Sequence, residues 1–98
     1  MDRLSKLHLL KKELEKRGFF ILGIVGSFAR GEDYKDIDIV YETNEMFEKN
    51  YKGWEYFIEL ENIKNYLQKA LGKKVDLVNF SSMNSIAKKY MMQDFKSV

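Results

Sequence analysis

The sequence contains no cysteine and no proline, and it has a single histidine, His8. Without cysteine the chain can form no disulfide, no thiolate nucleophile and no cysteine-bound zinc site. One histidine argues against a serine–histidine hydrolase and against a histidine-rich metal site. No apolar run approaches the roughly 20 residues that span a membrane. We therefore expect a soluble protein of the reducing cytoplasm that does not enter a membrane.

The chain also has no large excess of positive or negative charge, because its net charge is only +2. A protein that mainly coats nucleic acid concentrates positive charge on one face, so nucleic acid is not expected as the main substrate. The chain has 98 residues, of which 45% are hydrophobic and 14% aromatic. This composition can form one small core, and we expect a single domain over residues 1–98.

The pattern of apolar residues predicts the order of helices and strands. It indicates helices over residues 4–17, 54–71 and 82–95, and strands over residues 19–25, 36–41 and 75–80. Ser27 is expected to cap a short helical turn over residues 28–30, and residues 42–53 are interpreted as a loop with at most one turn of helix. The helix over residues 54–71 is expected to carry a broad apolar face of Trp54, Phe57, Ile58, Leu60, Ile63, Leu67, Ala70 and Leu71. Trp54 and Phe57 are expected to lie in the core or to face a partner. The inner face expected on the closing helix consists of Ile86, Ala87, Tyr90 and Met91. The order α-β-(short α)-β-α-β-α predicts an α/β (α+β) fold, a small mixed sheet of about three strands with helices packed on it.

Three aspartates occur within the predicted strands, where this residue type is unfavourable. Asp36 and Asp38 are two positions apart and therefore share one face of their strand, while Ile37 points the opposite way. Asp76 lies in an otherwise apolar strand, where an unpaired carboxylate is costly. If the two strands are neighbours, the three carboxylates can hold divalent cations such as Mg²⁺, the ion that prefers carboxylate and phosphate oxygens. The alternatives are a solvated strand face for the first two aspartates and a lysine pair, through Lys73 or Lys74, for Asp76.

A turn that can hold phosphates precedes the acidic strand. Gly26 allows close approach of the backbone to a ligand, and Ser27 offers a hydroxyl group. Their alternative role is an ordinary strand-to-helix turn. Arg30 either contacts phosphate or pairs with Glu32, Asp33 or an acid of the core.

The residues Gly26-Ser-Phe-Ala-Arg-Gly31 followed by Asp36-Ile-Asp38 resemble the signature of the DNA polymerase β-like nucleotidyltransferase superfamily. Within it the chain is similar to the minimal nucleotidyltransferases (MNT) that act as antitoxins beside HEPN-domain toxins. The resemblance covers nearly the whole chain, and Asp76 matches the third metal ligand of the superfamily. It implies metal binding by Asp36, Asp38 and Asp76, triphosphate contacts from Gly26 and Ser27, and help from Asp76 in deprotonating the acceptor.

The implied reaction is transfer of NMP from a nucleoside triphosphate to a hydroxyl group, with Mg²⁺ or Mn²⁺. For the antitoxin group it is AMP transfer from ATP to a tyrosine of the HEPN toxin, within a hetero-oligomer. The segment between Ser27 and Asp36 is shorter than in the family pattern, and Lys35 stands where the family has a serine. Two alternatives therefore remain: a catalytically weak antitoxin that neutralises its partner by occlusion, and a nucleotide-sensing regulatory subunit.

Overall fold

The computed structural model describes residues 2–98. Two of the predicted elements have the bounds that the sequence predicted, the first strand and the longest helix, and the others differ at their ends. The elements in chain order are α1 (Arg3–Glu15), β1 (Phe19–Val25), α2 (Gly26–Ala29), β2 (Asp36–Thr43), α3 (Glu45–Asn50), α4 (Trp54–Leu71), β3 (Lys74–Asn79), a 3-10 turn (Phe80–Ser82), α5 (Ser85–Met91) and β4 (Lys96–Ser97).

The strands form one mixed sheet in the order β3-β2-β1-β4. β1 is antiparallel to both β2 and β4, whereas β2 and β3 are parallel. The prediction of a small mixed sheet with helices is confirmed. The sheet has a fourth strand because the two residues of β4 pair with Gly23 and Ile24 of β1. A polar pair this short has no alternating pattern that a sequence could reveal.

Glycine positions explain why two elements were predicted with correct bounds. Gly18 has φ of 86° and stands between α1 and β1, and Gly72 has φ of 69° in the left-handed region at the end of α4. Left-handed backbone favours glycine strongly, so these residues mark helix ends in the sequence itself. The loop predicted for residues 42–53 instead contains α3. Asn44 caps this helix through its side-chain oxygen, which accepts a hydrogen bond from the backbone N–H of Phe47 at 3.1 Å.

The core lies on one face of the sheet, beneath α1 and α4. The side chains that are buried there are Leu7, Leu10, Leu14, Phe19, Ile21, Ile24, Ile37, Ile39, Tyr41, Phe47, Ile63, Leu67, Leu71 and Val75. Burial of apolar area on this scale is the main stabilising contribution to a small domain. No helix among residues 2–98 has the length and apolar character required to cross a membrane.

Of the apolar face predicted for α4, the part from Leu60 onward lies against the core. Ile63, Leu67 and Leu71 are buried. Trp54 and Phe57 are exposed, as is Ile58. The helix extends beyond the core at its N-terminal end, so its helical spacing continues where there is no core to cover.

The predicted closing helix over residues 82–95 is also corrected. Only Ser85–Met91 is helical, capped by the side chain of Asn84, and Ile86 and Tyr90 are exposed rather than inward-facing. The chain then returns to the sheet with Phe95, whose ring occupies the space beside Gly23. A Cβ at Gly23 would lie 2.6 Å from a ring carbon of Phe95 and 2.4 Å from the carbonyl oxygen of Lys96. Glycine inside β1 is thus required by the close approach of the C-terminal segment.

Candidate active site

Asp36 and Asp38 begin β2 and lie on the face opposite the core. Ile37 and Ile39 between and beyond them are completely buried. Because side chains alternate along a strand, the two aspartates point away from α1 and α4. The aliphatic residues hold the strand in place, and the acids are left on the side of the sheet that α1 and α4 do not cover.

Asp76 lies directly beside this pair. β3 is parallel to β2, and Asp76 is the register partner of Asp38. Register partners on neighbouring strands project from the same face, with the strands about 4.8 Å apart. The alternative lysine pairing of Asp76 is absent: among residues 2–98 neither Lys73 nor Lys74 forms an ion pair with it, and Lys73 lies over the ring of Tyr34 instead.

Asp38 is perturbed by its surroundings. Burial raises the pKa of the Asp38 carboxyl above its usual range, and the negative charges of Asp76 and Asp36 raise it further. Like charges at this separation disfavour ionisation of the central group. In the protein alone this cluster is therefore destabilising at neutral pH, and a cation would remove the cost.

The glycine–serine turn adjoins the same carboxylates. β1 ends at Val25, which pairs with Asp38, and Gly26 follows with φ of 79°. A Cβ at Gly26 would lie 2.6 Å from Oδ2 of Asp38. Any other side chain would fill the space in front of this carboxylate, so the glycine keeps that space open for a ligand.

Ser27 does not cap the turn as predicted. α2 starts one residue earlier, at Gly26, and Val25 occupies the cap position without a side-chain hydrogen bond. The hydroxyl oxygen of Ser27 instead accepts a hydrogen bond from Nη2 of Arg30 at 3.3 Å. The positive φ of Gly26 lets the helical turn begin directly at the strand end, and this removes the need for a serine cap.

Arg30 is held by two carboxylates. Its Nε donates to Oε1 of Glu32 at 3.0 Å, and its Nη1 donates to Oδ2 of Asp94 at 2.8 Å. Of the acid partners considered from the sequence, Glu32 is therefore one and Asp33 is not. Asp94 was missed because it follows α5, far along the chain, and no local pattern marks it. The guanidinium group lies at the turn, with its Nη groups on Ser27 and Asp94.

The donor set suits a hard divalent cation, since carboxylate oxygens are the protein ligands that Mg²⁺ and Mn²⁺ prefer. Two observations fit such an ion: the raised pKa of Asp38, caused in part by unneutralised neighbours, and the space that Gly26 leaves before its Oδ2. Among residues 2–98, no three acidic or histidine side chains are already close enough together to coordinate one ion. Binding would thus draw the three carboxylates inward from a shared face.

Comparisons with known proteins identify the family of this chain. The profile of the nucleotidyltransferase domain family matches residues 7–97. The chain belongs to this nucleotidyltransferase domain family, and within it the chain is a minimal nucleotidyltransferase.

Two named relatives and one solved structure show the similarity in detail. The protein adenylyltransferase MntA of Thermococcus cleftensis is 38% identical over 87 residues, covering 86% of this chain and 80% of that protein. A protein of Methanocaldococcus jannaschii, provisionally named a protein adenylyltransferase, is 40% identical over 76 residues, 74% of this chain and 70% of its own length. A solved structure described as a minimal nucleotidyltransferase superposes with a TM-score of 0.70 over 100% of this chain and 97% of its own, at 19% identity. The last comparison establishes the shared fold.

Proposed function

We propose that this nucleotidyltransferase transfers AMP from ATP, with Mg²⁺ or Mn²⁺, to a tyrosine hydroxyl of a HEPN-type toxin and so acts as its antitoxin. The observation that carries the proposal is the register pairing of Asp38 with Asp76 beside Gly26. It brings carboxylates from two strands, which would bind the metal ion, to the turn that would hold phosphates. Both named relatives are called protein adenylyltransferases, which supports AMP and a protein acceptor.

Each residue of the site has a proposed role that follows from its position. Asp36 and Asp38 would hold the cation, which when bound neutralises charge on the phosphates and on the attacking oxygen. Asp76 would accept the proton of the acceptor hydroxyl as its oxygen forms a bond to the α-phosphorus. The bond between the α- and β-phosphates breaks in the same step, and pyrophosphate leaves. Gly26 gives the phosphates room, and Ser27 and Arg30 contact the leaving pyrophosphate.

The experiment incubates the purified protein with the candidate toxin, labelled ATP and Mg²⁺, and follows label on the toxin. We expect labelling by the wild type and none by the Asp36→Asn plus Asp38→Asn variant. Asp33→Asn removes a carboxylate from the exposed loop before β2 and is the matched control, with labelling like that of the wild type. Equal labelling by the double variant would reject the proposal, as would the absence of labelling by the wild type.

A second candidate is an antitoxin that blocks its partner by occlusion alone. The engagement of Arg30 by Glu32 and Asp94 favours it, because these carboxylates compete with phosphate for the guanidinium group. The shorter segment before Asp36 and the lysine at position 35 favour it as well. Inhibition of the toxin by Asp38→Asn without nucleotide, at the wild-type level, would support occlusion over catalysis.

A further inference from the structure

Three large apolar side chains stand exposed along one side of α4. Trp54 is 83% exposed, Phe57 is 64% and Ile58 is 58%. Residues three and four positions apart share one side of a helix, so they form a continuous surface that we call the α4 ridge. Exposed apolar patches of this kind mark binding surfaces, and tryptophan is the residue most enriched at their energetic centres.

The α4 ridge lies outside the core, and its contact with the anchored side of the helix is the ring of Phe57, which meets that of Tyr56 edge-on with centroids 5.7 Å apart. The first turns of α4 are anchored by other side chains, since the ring of Tyr56 meets that of Phe47 edge-on with centroids 5.6 Å apart. The hydroxyl of Tyr56 also lies 3.1 Å from that of Thr43. The inward side of the helix therefore already packs against the rest of the protein, and the exposed side is free to contact another molecule.

A groove joins the α4 ridge to the carboxylates. It has a volume of about 360 Å³ and its lining includes Phe57, Glu61, Lys64 and Asp76. β3 is the edge strand of the sheet, so no further strand separates the ridge from the face that carries Asp76. A molecule seated on the ridge can thus extend around this edge to the proposed catalytic residue.

The charge around the α4 ridge defines the chemistry of its occupant. Residues 42–64 contain six glutamates and three lysines, a net charge of −3, in a chain whose net charge is +2. Glu48, Glu55 and Glu61 line surface grooves together with ridge residues, whereas Glu59 is paired with Arg17. Negative charge therefore lies beside the ridge in a chain that is otherwise basic. Complementarity favours a partner with an apolar centre bordered by lysine and arginine.

We propose that the acceptor protein docks on the α4 ridge through an apolar patch with a basic border, and that its hydroxyl reaches Asp76 through the groove lined by Phe57. The inference rests on the proposed function, because a protein acceptor is assumed. It adds the surface that selects the acceptor, which lies apart from the residues that bind the nucleotide. Substitutions on this surface change recognition without changing the carboxylate site.

The test compares Trp54→Ser and Phe57→Ser with two control variants on α5, Ile86→Ser and Tyr90→Ser. Ile86 and Tyr90 are each 68% exposed, so the control variants also remove large exposed side chains that lie outside the core. Binding to the candidate HEPN-type toxin is measured by calorimetry at low and high salt, together with the kinetics of AMP transfer. ATP binding with Mg²⁺ is measured for each variant.

We expect both ridge variants to raise Kd and KM for the acceptor at least about 10-fold, with ATP binding unchanged. For Trp54→Ser, which lies outside the groove, kcat should also be unchanged. The α5 variants should stay within about 2-fold of the wild type. Higher salt should weaken wild-type binding, because the basic border meets an acidic rim. Wild-type affinity in the ridge variants, equal losses in the α5 variants, or no binding of the acceptor by the wild type would overturn the docking proposal.

Two further outcomes separate the ridge from its alternatives. A wild-type dimer in sedimentation that the ridge variants dissociate, with acceptor binding unaffected, would assign the ridge to a second copy of this chain and overturn the proposal. Binding that depends on the ridge without any transfer of AMP would refute the enzymatic function while supporting the docking surface. AMP transfer that is unchanged in the ridge variants would support the enzymatic function and refute the docking surface.

Discussion

The replacement Asp38→Asn should stabilise the metal-free protein. It removes the central charge of the carboxylate cluster while keeping nearly the same shape. Two unit charges about 5 Å apart repel each other by about 0.8 kcal/mol in water, and a third about 7 Å away adds roughly 0.6 kcal/mol. Because Asp38 is only partly buried, we reduce the sum to about 1 kcal/mol for screening by solvent and salt.

The pH dependence of this stabilisation follows from the direction in which the pKa of Asp38 is shifted. Burial and the neighbouring carboxylates raise the pKa of Asp38 above the ordinary aspartate value of 3.8. A group with a raised pKa in the folded state gives its full stability below the unfolded value and loses it as the pH rises through the folded value. The advantage of Asp38→Asn should therefore be present at neutral pH and shrink as the pH is lowered towards 3.8.

Thermal unfolding followed by circular dichroism, at low salt with a chelator, measures this advantage. For a domain of this size, 1 kcal/mol corresponds to a rise in Tm of about 4–8 °C. Added Mg²⁺ with ATP should stabilise the wild type more than the variant, because a ligand that binds only the folded state raises its stability. Asp33→Asn, in an exposed loop, is the control. A Tm for metal-free Asp38→Asn equal to or below that of the wild type would refute the electrostatic reasoning.

Three further predictions concern backbone space and a buried phenol. Gly26→Ala should abolish AMP transfer, because the new Cβ would clash with the carboxylate of Asp38. Gly31→Ala is the control, since Gly31 has a similar φ of 74° and nothing within 4 Å of the added Cβ. It should retain transfer and show only a lower Tm, from a backbone strain of about 1–2 kcal/mol. Transfer retained by Gly26→Ala would contradict this. Gly23→Ala should detach β4, because the added Cβ would clash with Phe95 and Lys96, and should lower the free energy of unfolding by about 1–3 kcal/mol. In a protein that lacks residues 95–98, Gly23→Ala should have no such effect. Burial raises the pKa of Tyr41 to about 12, so its stabilising contribution should be complete below about pH 10 and be lost as the pH rises towards 12. A phenolate absorbance titration checks this, and ionisation of every tyrosine near pH 10 would count against it.

Local patterns in the sequence determined much of the fold. The bounds of β1 and α4 follow from apolar residues that end at glycines with left-handed backbone, a signal contained within a few neighbouring positions. The alternation of acid and isoleucine over residues 36–39 likewise placed two carboxylates on one face. Such features depend on the conformations of adjacent residues and can be deduced without knowing where the rest of the chain lies.

Contacts between distant segments were decided only by the tertiary structure. The pairing of Asp38 with Asp76 required β3 to lie parallel beside β2, which the sequence suggested only through resemblance. The ion pair of Arg30 with Asp94 had no local signal. Helical spacing left open whether Trp54 is buried or exposed, because spacing shows which side of a helix is apolar but not how far the core extends along it. Which surfaces meet depends on how the sheet and helices pack together, and that packing is a property of the whole chain.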